Sequence, residues 1–214
     1  MQILKFGGSS VANPDRIRAC GRVLLHKRRT EGYRAMVVCS ALGGITDALT
    51  QAGHLAQQGD GDYRVVARDI RDRHIQCALD LLDSSTYAAI EAELKERLSH
   101  LDDLLYGIYL LREASARTND ELTGLGERLS VPILWGHCHD LGFKPQRLDA
   151  LELMCTDDQY GAARLDVHAS QDRFAHAGFD DGDLFLMEGF IGSAPDGTPT
   201  TLGRGGSEIG RAHV

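Results

Sequence analysis

Positive charge is scarce in this chain: 23 Lys and Arg against 31 Asp and Glu leave a formal net charge of −8 over 214 residues. So acidic a surface repels phosphate backbones and anionic headgroups, and neither nucleic acid nor a membrane is expected as a partner. Long apolar runs are also missing, so neither a membrane span nor the core of a signal peptide is expected. The five cysteines (Cys20, Cys39, Cys77, Cys138 and Cys155) are odd in number, widely spaced and free of any C-x-x-C pair. That pattern argues against a disulfide framework and for reduced thiols, hence a cytoplasmic location. Internal repeats, low-complexity linkers and a Ser-His-Asp arrangement are absent as well. What remains is a hydrophobic fraction of 43%, enough for the core of one large α/β domain.

The few cations that are present lie beside glycines. Ile3, Leu4 and Phe6 read as a short buried strand that leads through Lys5-Phe6-Gly7-Gly8-Ser9-Ser10 to Asn13-Pro14, a helix cap and opener, with Ile17, Val23, Leu24 and Leu25 on the apolar positions beyond. Glycines there let backbone N–H groups approach an anion and permit positive φ, and Lys5 adds a full charge. The lysine precedes the glycines, which excludes a Walker A loop, and no G-x-G-x-x-G is present. Read alone, the stretch is a plain strand-to-helix turn. A second glycine-dense loop, Thr200-Thr201-Leu202-Gly203-Arg204-Gly205-Gly206-Ser207, follows the strand-like run Leu184–Met187. Arg204 can present a planar fork to a carboxylate, whereas Lys5 is a point charge suited to a moving phosphoryl group. Together the loops point to phosphoryl transfer to an acid.

Strand and helix signals alternate at first, as in a mainly parallel sheet covered on both faces. Arg34–Ser40 reads as a second buried strand, ending in Ser40-Ala41-Leu42-Gly43-Gly44-Ile45-Thr46-Asp47 before a helix from about Asp47 to Gln58. Ligands of such sheets gather beyond the carboxyl ends of the strands, which makes Ser40 and Thr46 candidates; helix capping by Thr46 or Asp47 is the plainer alternative. From about 62 to 142 the chain reads as helical. Val65, Ile70, Ile75 and Leu79, then Ile90, Leu94, Leu98, Leu101 and Leu105, recur at helical spacing. A third helix from near Asn119 carries Glu127 just after Gly124 and Gly126, with Pro132 as an expected kink. The glycines would let an ammonium approach Glu127; a solvated carboxylate paired with Arg128 is the alternative. His137-Cys138-His139-Asp140 is not read as a metal site, because neighbours on a helix diverge and no partner cluster has zinc spacing. Asp157-Asp158 and Asp180-Asp181 read as caps and loop residues.

Taken in order, K-F-G-G-S-S-V, S-A-L-G-G-I-T-D, L-G-E-R-L-S, M-C-T-D-D-Q-Y-G, G-F-I-G-S and T-T-L-G-R-G-G-S resemble the catalytic domain of aspartate kinases. The likeness spans residues 1 to 207. Gly107–Glu113 (G-I-Y-L-L-R-E) is closest to the bifunctional aspartokinase/homoserine dehydrogenase type. The resemblance implies the amino-acid-kinase fold, a three-layer αβα sandwich around a mainly parallel sheet, here incomplete and carrying the helical insertion. It implies transfer of the ATP γ-phosphoryl group, with Mg2+, to the β-carboxylate of L-aspartate, the first step of lysine, threonine and methionine biosynthesis. It implies Lys5 at the transferring phosphoryl group and Gly7, Gly8 and Ser9 as the phosphate turn. Thr46 and Glu127 match aspartate-binding positions, with Glu127 at the α-ammonium and Arg204 on the α-carboxylate. Ser40, Phe190, Gly205, Gly206 and Ser207 line the same crevice, and a homo-oligomer is implied for a full-length protein.

Two departures accompany the likeness. Arg147–Glu152 lacks a basic residue that often follows the aspartate in related kinases, so no ligand role is assigned there. After Ser207 the family continues with aspartate and a nucleotide-holding loop, whereas this chain reads Glu208-Ile209-Gly210-Arg211-Ala212-His213-Val214. Back-translation as GAG ATC GGA AGA GCA CAC GTC resembles a common sequencing adapter. Residues 208–214 are therefore expected to be a non-native tail after a truncated catalytic domain, inactive alone. Another amino-acid kinase of the same fold, of glutamate 5-kinase or acetylglutamate kinase type, and a non-catalytic aspartate-binding fragment remain as alternatives. Glu127 in its L-G-E context and the L-G-R-G-G-S string are the discriminating features.

Overall fold

The computed structural model describes residues 1–31, 34–179 and 182–203. The chain opens with β1 (Gln2–Phe6), α1 (Pro14–Glu31), β2 (Ala35–Cys39) and α2 (Ile45–Gln58), then runs through α3 (Tyr63–Leu81), α4 (Ser84–Leu111) and α5 (Ala116–Asp140). It continues with β3 (Pro145–Leu148), α6 (Ala150–Leu153), α7 (Val167–His176), β4 (Leu184–Glu188), β5 (Ile191–Ser193) and β6 (Pro199–Thr201). β1, β2, β4 and β3 lie side by side in that order, all parallel, and β5 and β6 form a separate antiparallel pair. No helix among the described residues is long and apolar enough to cross a membrane.

Side-chain alternation divides the sheet between two cores. Val37, Leu184 and Leu186 face Leu129 and Ile133 of α5, while Met36, Phe185 and Met187 face α7 through Phe174. Helices therefore cover both faces, the three-layer arrangement implied by the sequence. The helical stretch expected over 62–142 is present and has an internal order: α5 packs on the sheet, and α3 and α4 lie outside it against α2 and α5.

Local causes match the sequence in most places. Asn13 caps α1 by accepting from the N–H of Arg16 at 3.0 Å, and Ile90, Leu94, Leu98, Leu101 and Leu105 form an unbroken buried stripe on α4. Three expectations need correction. β1 is half-exposed, with Ile3 36% exposed, because it pairs with β2 alone among the described residues. On α3 Val65 and Leu79 face solvent, and the buried stripe is instead Tyr63, Ala67, Ile70, His74, Cys77 and Ala78. α2 starts at Ile45 with Gly44 as its cap in the left-handed region (φ 76°), so neither Thr46 nor Asp47 caps it.

Pro132 sits inside α5, which runs on for two further turns. Proline has no N–H for the carbonyl four residues earlier. That carbonyl, of Arg128, is taken by Nη1 of Arg97 from α4, so the broken rung is satisfied from a neighbouring helix.

Candidate active site

The carboxyl ends of the parallel strands meet at one end of the sheet, where loops after β1, β2 and β4 interlock. Ser40 donates its N–H to the carbonyl of Phe6 at 3.1 Å, and Gly189 donates to Cys39 at 2.8 Å. Lys5, exposed on β1, leaves the sheet on the face opposite Leu4 and Phe6. Ser10 and Val11 close the next turn by donating to the Gly7 carbonyl at 2.8 and 3.2 Å, so the N–H groups of Gly8 and Ser9 lie outside the turn's own bonds. The positive φ expected of Gly7 and Gly8 is found instead at Gly44. A Cβ on Gly7 would meet nothing within 4 Å, and one on Gly8 would make ordinary contact with the Ala41 carbonyl at 3.6 Å. The fold itself therefore does not demand glycine at either position.

Glu127 is the centre of the opposite wall. It is 3% exposed, which overturns the solvated-carboxylate alternative. Oε1 accepts from the N–H of Ala41 at 3.2 Å, and Oε2 is buried with no partner among the described residues. Burial raises its pKa from 4.5 to about 7, opposed by the Ala41 bond and reinforced by the nearby charge of Glu188. The two glycines just before it in the chain have a different role from the one expected. A Cβ on Gly126 would lie 2.8 Å from that of Ala41, and one on Gly124 would lie 3.0 Å from Cγ2 of Ile191. They bring α5 onto the loop after β2 and onto β5, with no room beside them for a ligand. The Ser130 hydroxyl, 2.8 Å from the Ser40 carbonyl, ties the same helix to the same loop.

Thr46 stands half-buried in the first turn of α2, its carbonyl accepting from the Thr50 hydroxyl at 2.9 Å. Phe190 follows Gly189 with φ 68°, a left-handed conformation costly for a bulky side chain, and its carbonyl accepts from Leu202 at 2.8 Å. Ser40, Glu127, Gly8 and Phe190 are thus gathered around one set of loops. Arg204, Gly205, Gly206 and Ser207, the tail from 208 to 214, and Asp180-Asp181 lie outside the described residues. Asp157 accepts from the N–H groups of Gln159 and Arg164 at 3.2 and 2.9 Å, the loop role expected of it.

Two buried carboxylates escaped the sequence reading. Glu188, at the end of β4, accepts from the N–H of Ala150 at 3.1 Å, and burial raises its pKa. Asp120, in the second turn of α5, is 2% exposed and bonds to the backbone leading into the arginine loop. No local pattern marks it, and α5 begins at Ala116, three residues before the expected Asn119.

The amino acid kinase family model matches residues 1–214. Aspartokinase of Chlamydia trachomatis is 29% identical over 210 residues, 97% of this chain and 44% of that protein. A chloroplastic bifunctional aspartokinase/homoserine dehydrogenase of Arabidopsis thaliana is also 29% identical, over 97% of this chain and 23% of its own length. Identity thus does not separate the monofunctional from the bifunctional type. E. coli aspartokinase III in complex with aspartate and ADP superposes with a TM-score of 0.86 at 29% identity, over 97% of this chain and 44% of that one. This chain spans less than half the length of these relatives. Family match, fold and the order of its loops agree, and the chain belongs to the amino acid kinase family.

Proposed function

We propose that the crevice binds L-aspartate for phosphorylation of its β-carboxylate by ATP, giving 4-phospho-L-aspartate and ADP. The observation that carries this reading is the buried Glu127, one oxygen bonded to Ala41 and the other without a donor. A buried oxygen without a donor is costly, and a substrate ammonium supplies both hydrogen bond and charge. Thr46, Ser40 and Phe190 line the same side, and Arg204 with Gly205, Gly206 and Ser207 grips the α-carboxylate. This orients the β-carboxylate, already ionised at neutral pH, for attack on the γ-phosphorus as the bond to the ADP oxygen breaks. No covalent enzyme intermediate is needed. Lys5 balances charge on the transferring group, and Gly7, Gly8 and Ser9 offer N–H groups to phosphate. Their glycines, required by neither packing nor backbone angle, support close approach of a ligand.

Mg2+ enters this reading as the counter-ion of the ATP phosphates. Among the described residues no group of three or more His, Cys, Asp or Glu side chains could hold a metal, so no protein ligand is assigned to it. The reading also carries a cytoplasmic, homo-oligomeric enzyme. Calorimetric titration of the chain with L-aspartate, L-glutamate and N-acetyl-L-glutamate tests the substrate. Binding of aspartate alone is expected; preference for either other acid, or no heat with any, would reject aspartate as the ligand.

A further inference from the structure

Asp120 and Glu127 stand seven residues apart on α5, two turns along one face, roughly 10 Å by helical rise. Both are almost fully buried, and they differ in how their oxygens are used. Asp120 has both oxygens committed: Oδ2 accepts from the N–H groups of Gly161 and Thr201, each at 2.9 Å. Oδ1 accepts from the Thr201 hydroxyl at 2.7 Å. Thr201 ends β6, three residues before Arg204, and its carbonyl accepts from Ala163 at 2.9 Å. The strand entering the arginine loop is thus fixed on one side by α5 and on the other by the 157–165 loop.

We propose that Asp120 is a positioning residue that fixes the end of β6, at Thr201, relative to Glu127, and so makes the crevice fit an α-amino acid. The inference rests on the aspartate reading above. An ammonium and a carboxylate on one carbon are a short, rigid pair, so their two receptors must be held at one spacing by something other than the ligand. One helix carries the first receptor and, through Asp120, holds the strand that precedes the second in the chain. The role is geometric: an asparagine can place its single carbonyl oxygen where Oδ2 lies and keep both backbone bonds, with the Thr201 hydroxyl turning to accept from its amide.

The test is calorimetric titration of L-aspartate into the wild-type chain and its Asp120→Ala and Asp120→Asn variants, with the thermal midpoint recorded for each. Asp120→Ala is expected to raise the Kd about tenfold or more and Asp120→Asn to stay within about threefold of wild type. An unchanged Kd in Asp120→Ala overturns the proposal, and so does equal loss in both variants, which would mark the charge as the active element. If Asp120→Ala fails to fold, Asp120→Ser, too short to span the bonds, takes its place against Asp120→Asn with the same criteria. If wild type binds no aspartate, the aspartate reading fails separately, and the hold on Thr201 is read from amide hydrogen exchange. Exchange at Thr201 and Gly161 about tenfold faster in the alanine or serine variant, with Asp120→Asn unchanged, supports it; rates equal to wild type overturn it.

Discussion

Glu127 holds its proton in the folded chain up to about pH 7, whereas an exposed glutamate loses it near 4.5. Between those values the native state binds more protons than the unfolded state, so stability falls as pH rises through that window and levels off above it. Glu127→Gln should remove that part of the slope in urea midpoints measured across the range; an unchanged slope would show that the carboxyl titrates like an exposed one. A bound ammonium would reverse the preference. At about pH 6.5 aspartate binding should therefore release a proton, seen as a dependence of calorimetric heat on buffer ionisation enthalpy and lost in Glu127→Gln. On the aspartate reading, two cations divide the remaining work. In a chain completed with the C-terminal part of an aspartokinase, Lys5→Ala should lower kcat by about a hundredfold to ten-thousandfold at near-normal aspartate KM. Arg204→Lys should raise that KM, since an ammonium cannot make two parallel bonds. Loss of less than about tenfold in kcat for Lys5→Ala would return the lysine to the role of a strand-end charge.

Helix α5 is where sequence and structure part most. The apolar positions of its neighbour α4 were legible because a single period governs them. The burial of Glu127 was not, because it depends on a glycine meeting Ala41 eighty-five residues away in the chain, and no local pattern encodes that contact. α3 misled for a related reason: its inner stripe is built from His74, Cys77 and small alanines, whose weak apolarity is overridden by the packing of α2. Gly126→Ala weighs two effects against each other. Alanine favours a helix interior over glycine by about 1 kcal/mol, but its Cβ would come within 2.8 Å of Ala41, and overpacking costs about 1–3 kcal/mol. Net destabilisation is expected in urea unfolding, together with weaker aspartate binding; a stabilised variant would show that α5 can withdraw from the loop at little cost. Farther along, Arg97→Met should cost about 1–3 kcal/mol by stranding the Arg128 carbonyl. Pro132→Ala should recover most of that loss in the Arg97→Met background by restoring an N–H. Additive effects in the double variant would dissociate the arginine from the proline.

At the scale of the whole molecule, the parallel sheet, the two helical layers and the convergence of loops at one sheet end were legible from alternating strand and helix signals. Which strands lie outermost was not, because pairing decides it: among the described residues β1 and β3 each have a neighbour on one side only, which leaves β1 half-exposed. The chain holds one tryptophan, and its placement has an experimental consequence. Trp135 lies on α5, eight residues beyond Glu127, with its indole N–H donated to the Pro145 carbonyl of β3 at 2.8 Å. His139 stacks on it at 5.5 Å and the Arg147 guanidinium lies 5.4 Å from its ring. The molecule thus carries a single optical label at the seam between its central helix and its sheet. Undocking of α5 should shift the emission to the red, while far-UV circular dichroism counts helix everywhere, the outer α3 and α4 included. If the layers unfold together, both signals should share one urea midpoint; emission changing at lower urea would mean that the seam opens while the outer helices stand, and light from one indole would then report the loosening of the helix that carries Glu127.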